Sequence, residues 1–334
     1  MPDLTRRGLV ALLAAASAAP ALAARGRSLS SWTESPRRRA ILDFVARITT
    51  PGAGFVPVEQ RIATFDNDGA LWCEQPIYTE AAFMADRIRA LVEANPELRG
   101  RQPYKAVVER DLATLAKQPQ ANLLKMIDDT HAGMTVEAYE ALARQWIDTA
   151  THPRFKRLYR ELIYQPQLEL LAFLRANGFA TYIVSGGTIG FMRTFAERAY
   201  GIPPQQVIGW SGKALYQLQD DVGVIVSQPG VGVIDDKGGK PVNINLHIGR
   251  RPILAVGNSD GDLEMLQYCT TGDGPRLGLL VHHDDAAREY AYDRTSPIGT
   301  LDKALDEAPL HGWQVVSMKD DWSRVFPFEP ARES

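Results

Sequence analysis

The 334-residue sequence contains only two cysteines, Cys73 and Cys269. A scaffold held by disulfides and a four-cysteine zinc site are therefore excluded. The sequence also has no excess of charge of one sign, since 37 Lys and Arg residues stand against 40 Asp and Glu residues. Such a balance offers nothing that would attract nucleic acid or an anionic membrane. With 45% hydrophobic and 8% aromatic residues the chain is neither disordered nor collagen-like. The composition favours a soluble enzyme or binding protein without choosing between them.

One apolar segment near the N-terminus has the features of an export signal. Paired arginines, Arg6 and Arg7, precede the apolar run Leu9–Ala24, and a small-x-small site ends at Ala23. The pattern predicts a signal peptide at 1–23 that is cleaved after about Ala23. Paired arginines in this position resemble the twin-arginine type, which implies the twin-arginine export machinery as a partner and a periplasmic location. The run of 16 residues is shorter than the roughly 20 of a spanning helix, so no stable membrane span is expected.

The remainder divides into segments of different periodicity. Residues 24–60 are predicted to form a linker and an N-terminal helix, because Ser- and Arg-rich sequence gives way to apolar positions at helical spacing. Residues 77–94, 121–128 and 135–150 have helical patterns. Beyond Pro166 the chain alternates helical patterns with short apolar runs. The apolar runs predicted as strands are Arg61–Phe65, Ala180–Val184, Ile253–Val256 and Leu277–Val281. Helices that alternate with fully apolar strands predict an α/β fold with a parallel sheet covered on both faces.

Short polar segments follow three of these strands. Asp66 and Asp68 follow the first strand, Ser185 and two glycines follow the second, and a segment rich in Asp and Asn follows the third. Ligands bind outside the carboxyl ends of the strands in open α/β sheets, so these segments are expected to meet in one crevice. Asp66 and Asp68 are two residues apart, which points both side chains to the same side if the chain is extended.

Each polar segment suits phosphate chemistry. Ser185 and the backbone N–H groups of Gly186 and Gly187 can hold phosphoryl oxygens. The third segment supplies oxygen ligands of the kind that Mg²⁺ prefers. Its candidate ligands are Asn258, Asp260 and Asp262. Lys237 and Lys240, which lie between the second and third segments, can supply a positive charge.

These motifs, taken in order, resemble those of the haloacid dehalogenase superfamily. The matching elements are Asp66-x-Asp68-Gly69, Ser185-Gly186-Gly187, Lys240 and Gly257-Asn258-Ser259-Asp260-Gly261-Asp262. Within the superfamily the chain is most similar to phosphatases of the phosphoserine phosphatase type. The resemblance implies a three-layer, Rossmann-like core formed by 61–75 and 163–334. It also implies a helical cap at 76–162, inserted after the first core strand, which excludes water and selects the leaving group.

The resemblance also implies a role for each motif residue. Asp66 would be the nucleophile that becomes an aspartyl-phosphate, and Asp68 would be the general acid and base. Ser185 and Gly186 would bind the phosphoryl group, and Lys240 would offset its charge. Mg²⁺ would be held by Asp66, the backbone carbonyl of Asp68, Asn258 and Asp262.

Departures from the family pattern leave some details open. Asn258 stands where the family has Asp, which favours Asn258 as the direct ligand with Asp262 behind it and leaves Asp260 as a possible substitute. Lys240 is favoured as the phosphate-binding lysine over Lys237, since it precedes a proline typical of a helix start.

The position of a substrate-binding Glu in phosphoserine phosphatases is occupied by Gln75, with Glu74 one step early, so phosphoserine is less expected as the substrate. The sequence gives no sign of oligomeric state. Two separate buried thiols at Cys73 and Cys269 are favoured over a disulfide, which stays open.

The leading hypothesis is a periplasmic, Mg²⁺-dependent phosphomonoester hydrolase that acts on a small soluble phosphate ester. One alternative is a phosphotransferase or mutase of the same superfamily. Another is a non-catalytic phosphate-ester binding protein, which Ala70 and Asn258 suggest because both depart from the catalytic pattern.

Overall fold

A computed structural model describes residues 29–330. The expected export signal at 1–23, with its cleavage site after Ala23, lies outside the described residues. Within 29–330 no helix combines the length and the hydropathy that a membrane crossing requires.

The four predicted strands and the helical segments predicted at 77–94, 121–128 and 135–150 are present, together with elements that were not predicted. The helices are α1 (Pro36–Thr49), α2 (Thr79–Ala94), α3 (Tyr104–Glu109), α4 (Leu112–Ala116), α5 (Gln120–Asp128), α6 (Val136–Ile147), α7 (Gln165–Ala176), α8 (Ile189–Arg193), α9 (Ala196–Tyr200), α10 (Gly239–Ile248), α11 (Leu263–Thr270), α12 (Lys303–His311) and α13 (Met318–Asp321). The strands are β1 (Ile62–Phe65), β2 (Ala180–Thr188), β3 (Val207–Gln219), β4 (Val222–Val233), β5 (Leu254–Gly257), β6 (Leu277–Asp284), β7 (Ala291–Tyr292) and β8 (Gln314–Ser317).

All eight strands found within the described residues belong to one sheet, in the order β4-β3-β2-β1-β5-β6-β7, with β8 paired to β6. The pairs β3–β4 and β6–β7 are antiparallel, and the other pairs are parallel. β1 lies at the centre, where every residue is buried, because both of its edges are paired and both of its faces are covered. The predicted α/β fold with a mainly parallel sheet is confirmed.

Neighbouring residues of the strands enter cores on opposite faces of the sheet, as the pleat of a strand requires. Ile183 belongs to a large core that also contains α1 and α7, whereas Val184 belongs to a second core with α10, α11 and α12. The sheet is therefore the middle of three layers. Cys73 lies in the first core and Cys269 in the second, and both are free thiols, so the disulfide that the sequence left open is not formed.

Residues 29–35, expected to belong to a linker, instead pack on the core. Leu29 and Trp32 are buried, and the indole Nε1 of Trp32 donates a 3.0 Å hydrogen bond to the carbonyl of Pro166. The backbone N–H of Ser31 donates to Glu169 at 2.8 Å. Burial of a tryptophan removes a large apolar area from water, which outweighs the polar composition around it.

Helices α2 to α6 lie between β1 and β2 in the chain and form the helical insert (79–147). The insert has a small core of its own. Its buried members are Ile88, Val92, Tyr104, Val107 and Met126. Phe83 anchors the insert to the main core by stacking on Phe191, with ring centroids 5.4 Å apart.

The long antiparallel hairpin formed by β3 and β4 was not predicted. Beyond Trp210 the strand β3 leaves β2 and pairs with β4 alone as far as the turn at Asp220 and Asp221. The hairpin meets the insert through a bridge between Thr135 and Val226. Beyond Gly209 only Val226 of its two strands is buried, so the hairpin has no buried face of the kind that marks the core strands.

Candidate active site

The three polar segments predicted to meet do lie side by side at the carboxyl ends of β1, β2 and β5. Phe65, the last residue of β1, pairs with Ile183 of β2 and with Val256 of β5. The backbone N–H of Asp66 donates a 2.9 Å hydrogen bond to the carbonyl of Val256. Parallel register therefore brings the segments that begin at Asp66, Ser185 and Asn258 to one edge of the sheet.

Lys240 lies between two carboxylates at the base of this crevice. Its Nζ is 3.0 Å from Oδ1 of Asp66 and 2.6 Å from Oδ1 of Asp262, and its side chain is 2% exposed. Burial alone would lower the pKa of Lys240, but the two carboxylates outweigh burial and raise it, so the amine stays charged. Lys237, the rival in the sequence, has an exposed side chain and makes no ion pair with Asp66 among the described residues.

Asp66 is buried beside like charges. Burial, followed by repulsion from Asp262, raises the pKa of Asp66 to about 7, although Lys240 acts in the opposite direction. A second cation close to this carboxylate would favour its ionised form. Near neutral pH, the protonation of Asp66 is therefore expected to change when a cation binds close to it.

Asp68 is held by an indole. Nε1 of Trp72 donates a 2.7 Å hydrogen bond to Oδ1 of Asp68, and Trp72 stacks on Phe195 with centroids 4.4 Å apart. Burial raises the pKa of Asp68, and the hydrogen bond from Trp72 works against that rise. Asp66 and Asp68 therefore occupy different environments, as two carboxylates with different roles require.

The second segment lies across the crevice at the end of β2. The hydroxyl of Ser185 is buried and accepts a 3.3 Å hydrogen bond from the backbone N–H of Gly187, while Gly186 is exposed. The pairing with β3 is irregular between Ser185 and Thr188, which turns this part of the backbone out of the regular ladder. Ser185 and Gly186 line the same cavity as Asp66 and Asp68.

The third segment separates its two aspartates. Oδ2 of Asp262 accepts hydrogen bonds from the backbone N–H of Asn258 (2.9 Å) and of Ser259 (3.2 Å), while Oδ1 bonds Lys240. Asp262 therefore holds the loop and the lysine. The carboxylate of Asp260 turns instead to the start of α12, where it accepts backbone N–H bonds from residues 302, 303 and 304. The expectation that Asp260 could substitute as a metal ligand finds no support in this arrangement, because both of its oxygens serve the helix end.

Asn258 presents an oxygen suited to a hard cation. Its Nδ2 donates a 2.8 Å hydrogen bond to Glu74, whereas its Oδ1 is buried and has no hydrogen-bond partner in the part of the chain that the structure describes. An orphaned buried acceptor is costly unless something binds it. The oxygen of Asn258 and the carboxylate of Asp66, which follow adjacent strands, fit the preference of Mg²⁺ for oxygen donors.

Two acidic residues near the crevice were missed as site residues. Glu74 is buried, and burial raises its pKa well above the usual range. Glu80, in α2, accepts hydrogen bonds from the backbone N–H and the hydroxyl of Thr188, and burial raises its pKa to about 7. Neither residue belongs to a local motif, and the partners of both are distant in sequence. The only sequence signal for Glu74 was its position next to the expected substrate-binding residue, and Glu80 had none.

A cavity of about 1370 Å³ lies above the crevice. Its floor includes Asp66, Asp68, Ser185 and Lys240. A large part of its other walls comes from the helical insert, and the insert residues there are mostly apolar. They include Ala81, Met84, Ile88, Val107, Leu123, Met126 and Trp146. The arrangement places charged and polar groups at one end of a largely apolar chamber.

Comparison of the sequence with protein families gives one match. Residues 63–267 match the haloacid dehalogenase-like hydrolase family, and this span is more than half of the chain. The chain therefore belongs to the haloacid dehalogenase-like hydrolases, as the order of its motifs indicated. None of the curated proteins compared with the chain is a match.

Solved structures show a likeness in fold at low sequence identity. A conserved protein of unknown function from Anaerococcus prevotii is 18% identical with a TM-score of 0.50, and the match covers 76% of this chain and 87% of that one. A protein of unknown function from Bordetella pertussis Tohama I is 15% identical with a TM-score of 0.48, over 77% and 98% of the two chains. A phosphoserine phosphohydrolase-like protein from Francisella tularensis is 15% identical with a TM-score of 0.36, over 67% and 88%. The first of these supports the fold assignment.

Proposed function

We propose that this haloacid dehalogenase-like hydrolase is a Mg²⁺-dependent phosphomonoesterase that forms an aspartyl-phosphate on Asp66. The observation that supports the proposal most is the buried ion pair between Lys240 and Asp66, 3.0 Å long, at the floor of the cavity. A carboxylate repels a phosphate dianion, so attack on phosphorus requires positive charge next to the nucleophile. Lys240 supplies such a charge.

The reaction would proceed in two displacements on phosphorus. In the first, a carboxylate oxygen of Asp66 forms a bond to phosphorus, the bond from phosphorus to the ester oxygen breaks, and Asp68 gives its proton to the departing alkoxide. In the second, the carboxylate of Asp68 takes a proton from a water molecule that attacks phosphorus. The bond to Asp66 then breaks and phosphate leaves. The different surroundings of the two carboxyl groups suit this division of roles.

Two groups at the end of β2 would bind the transferring phosphoryl group. The residue Ser185 is buried at the floor of the cavity, and Gly186 lines the same cavity. Lys240, also at the floor, would offset the negative charge.

Mg²⁺ would be held by the carboxylate of Asp66, the backbone carbonyl of Asp68 and Oδ1 of Asn258. When bound, it would supply positive charge that screens the phosphate from the nucleophile. Asp262 would support this set from behind, since it accepts from the backbone of Asn258 and binds Lys240.

The substrate is proposed to be a small phosphate ester whose organic part enters the cavity. The helical insert would act as the main part of the cap expected at 76–162, because it supplies a large part of the walls. The position of the substrate-binding Glu of phosphoserine phosphatases is occupied by Gln75, whose Nε2 donates a 3.1 Å hydrogen bond to the carbonyl of Ile298. An amide supplies no negative charge for the ammonium group of phosphoserine, which supports a different ester.

Export to the periplasm through the twin-arginine machinery is proposed on the sequence of residues 1–23 alone. Replacement of Arg6 and Arg7 by lysine should retain the full-length precursor in the cytoplasm. Cell fractionation and the mass of the N-terminus would detect this change, and an unchanged distribution would contradict the proposal.

The test of the activity is phosphate release from a panel of phosphate monoesters with and without Mg²⁺. Asp66→Asn should abolish turnover, whereas Asp273→Asn, at an exposed position, should not affect it. Full activity of Asp66→Asn, or no release from any ester, would contradict the proposal. Transfer of phosphate to an added alcohol would identify a phosphotransferase, and ligand binding without turnover would identify a binding protein.

A further inference from the structure

The carboxyl group of Glu74 is buried next to the crevice, and one of its oxygens accepts hydrogen bonds from two neighbours. Its Oε1 accepts a 2.8 Å hydrogen bond from Nδ2 of Asn258 and a 2.7 Å hydrogen bond from the hydroxyl of Tyr292. Glu74 is 2% exposed and Asn258 is 1% exposed, so water does not compete at either group.

The contact with Glu74 determines which way the amide of Asn258 faces. In the observed orientation Nδ2 meets an acceptor, and Oδ1 is the buried atom without a partner. The reversed orientation would bring Oδ1 of Asn258 against Oε1 of Glu74, which would place two acceptors in contact. The side chain of Glu74 therefore turns the amide oxygen away from itself.

Two glycines make room for this pair. Gly69 and Gly299 have φ values of +74° and +63°, which favour glycine, and a Cβ atom at either position would overlap the pair. At Gly69 the overlap would be with the amide of Asn258, and at Gly299 with the carboxyl group of Glu74. Two segments that are distant in sequence thus leave the space in which Glu74 and Asn258 make their contact.

We propose that Glu74 is a positioning residue that directs Oδ1 of Asn258 toward the cation site, so that the two side chains work as a unit. This inference rests on the proposed function for the identity of the cation as Mg²⁺. The unit explains how Asn is accommodated where the family resemblance implies Asp. An Asp at 258 would remove the amide N–H that Glu74 accepts and would put two buried carboxyl groups in contact, where each makes ionisation of the other more costly.

The first test measures Mg²⁺ binding by titration calorimetry in the absence of substrate. Glu74→Leu removes the acceptor, and we expect the dissociation constant for Mg²⁺ to rise roughly 10- to 100-fold, as for other residues that orient metal ligands. Glu74→Gln retains an oxygen that can accept from Asn258 and Tyr292, so it should bind Mg²⁺ like the wild type. Glu93→Leu, at an exposed position of α2, is the matched control and should change nothing. Unaltered affinity in folded Glu74→Leu protein would overturn the proposal.

The second test does not depend on the folding of Glu74→Leu. Asn258→Asp alone should bind Mg²⁺ at least about tenfold more weakly than Asn258→Asp combined with Glu74→Gln, whose amide can donate to the new carboxylate. Equal affinities of these two variants would overturn the proposal.

The two tests also separate this inference from the proposed function. Wild-type protein that binds no Mg²⁺ would overturn both. Wild-type protein that binds Mg²⁺ without hydrolysing any ester would contradict the proposed function alone, and the expected order of affinities would then still support the role of Glu74.

Discussion

The indole of Trp72 holds the carboxylate of Asp68, with 2.7 Å between Nε1 and Oδ1. Trp72 is 1% exposed and lies flat against Phe195, so its N–H group has a fixed direction. The hydrogen bond opposes the effect of burial on the pKa of Asp68 and keeps one of its oxygens in place. A residue four positions beyond Asp68 thus controls both the orientation and the acidity of the proposed acid and base.

Replacement of Trp72 by Phe should lower kcat roughly tenfold, which is the effect of losing one hydrogen bond to a charged group. It should also move the limb of the pH profile that reports Asp68 to higher pH. In the wild type the hydrogen bond from Trp72 lowers the pKa of Asp68, so its loss should raise that pKa. Steady-state rates measured across pH would show both changes. Phe195→Leu removes the stacking partner but keeps the donor, so its profile should not move. An unshifted limb in Trp72→Phe would contradict this assignment.

Lys240→Met should lower the free energy of unfolding by about 3–5 kcal/mol at pH 8, because two buried carboxylates lose their shared cation. The distances of 3.0 Å and 2.6 Å to Asp66 and Asp262 are the basis of this expectation. Urea denaturation measures the effect. Lys237→Met is the matched control, since Lys237 is exposed, and it should leave the free energy of unfolding nearly unchanged. Similar stability of the two variants would refute the prediction.

Mg²⁺ binding should weaken as the pH falls below about 7. The pKa of Asp66 is raised to about 7, so below that pH the metal-free protein carries a proton on Asp66 that must leave before a cation can bind. The apparent dissociation constant should then rise by up to about tenfold per pH unit. Calorimetry in buffers with different ionisation enthalpies would count the released proton. Asp66→Asn should show no such release, and affinity independent of pH in the wild type would argue against Asp66 as a ligand.

Glu80→Gln should stabilise the protein at pH 8 by roughly 1–2 kcal/mol. Burial raises the pKa of Glu80 from 4.5 to about 7, so the protonated form favours folding and its contribution is lost as the pH rises from 4.5 through 7. Gln should fit the same contacts, because its oxygen can accept from the backbone N–H of Thr188 and its amide can donate to the hydroxyl.

Thermal unfolding of the Glu80→Gln and wild-type proteins between about pH 5 and 8 would measure the difference, which should grow with pH. Glu93→Gln serves as the control because Glu93 is exposed on the same helix. A constant difference across this range would exclude Glu80 as its source.

Esters with a bulky apolar alcohol, such as naphthyl phosphate, should have a higher kcat/KM than phosphoserine. The cavity of about 1370 Å³ has mostly apolar walls outside the crevice, so such a group would bury apolar area on binding. Ala81→Trp places a large side chain on an exposed wall position. It should reduce kcat/KM for naphthyl phosphate and leave that for phosphoserine nearly unchanged. Equal losses for both esters would count against selection by this wall.

The sequence alone determined the α/β fold and the meeting of the three polar segments. Short, fully apolar strands and the helical periods between them are local patterns, and the rules of parallel sheets then bring the ends of such strands together. Asp66, Asp68 and Ser185 could therefore be placed at one edge from their neighbours in the chain. The hairpin of β3 and β4 was not predicted, because few of its residues are buried and its strands therefore lack the pattern of a buried face.

Only the tertiary structure decided which side chains contact each other within the site. The turn before α10 buries Lys240 against Asp66 and leaves Lys237 exposed, although the two lysines are three residues apart. The turn after β5 sends Asp262 to the lysine and Asp260 to the start of α12. Both outcomes depend on the direction of a side chain within a single turn, which is set by packing against distant segments.

The contacts of Glu74 also could not be predicted from the sequence. Its partners Asn258 and Tyr292 lie 184 and 218 positions further along the chain. No local pattern records such a contact, because each residue is ordinary in its own segment and becomes significant only when the fold buries the three together. Sequence determines chemistry within a motif, whereas the pairing of groups from separate motifs depends on the shape that the packed chain adopts.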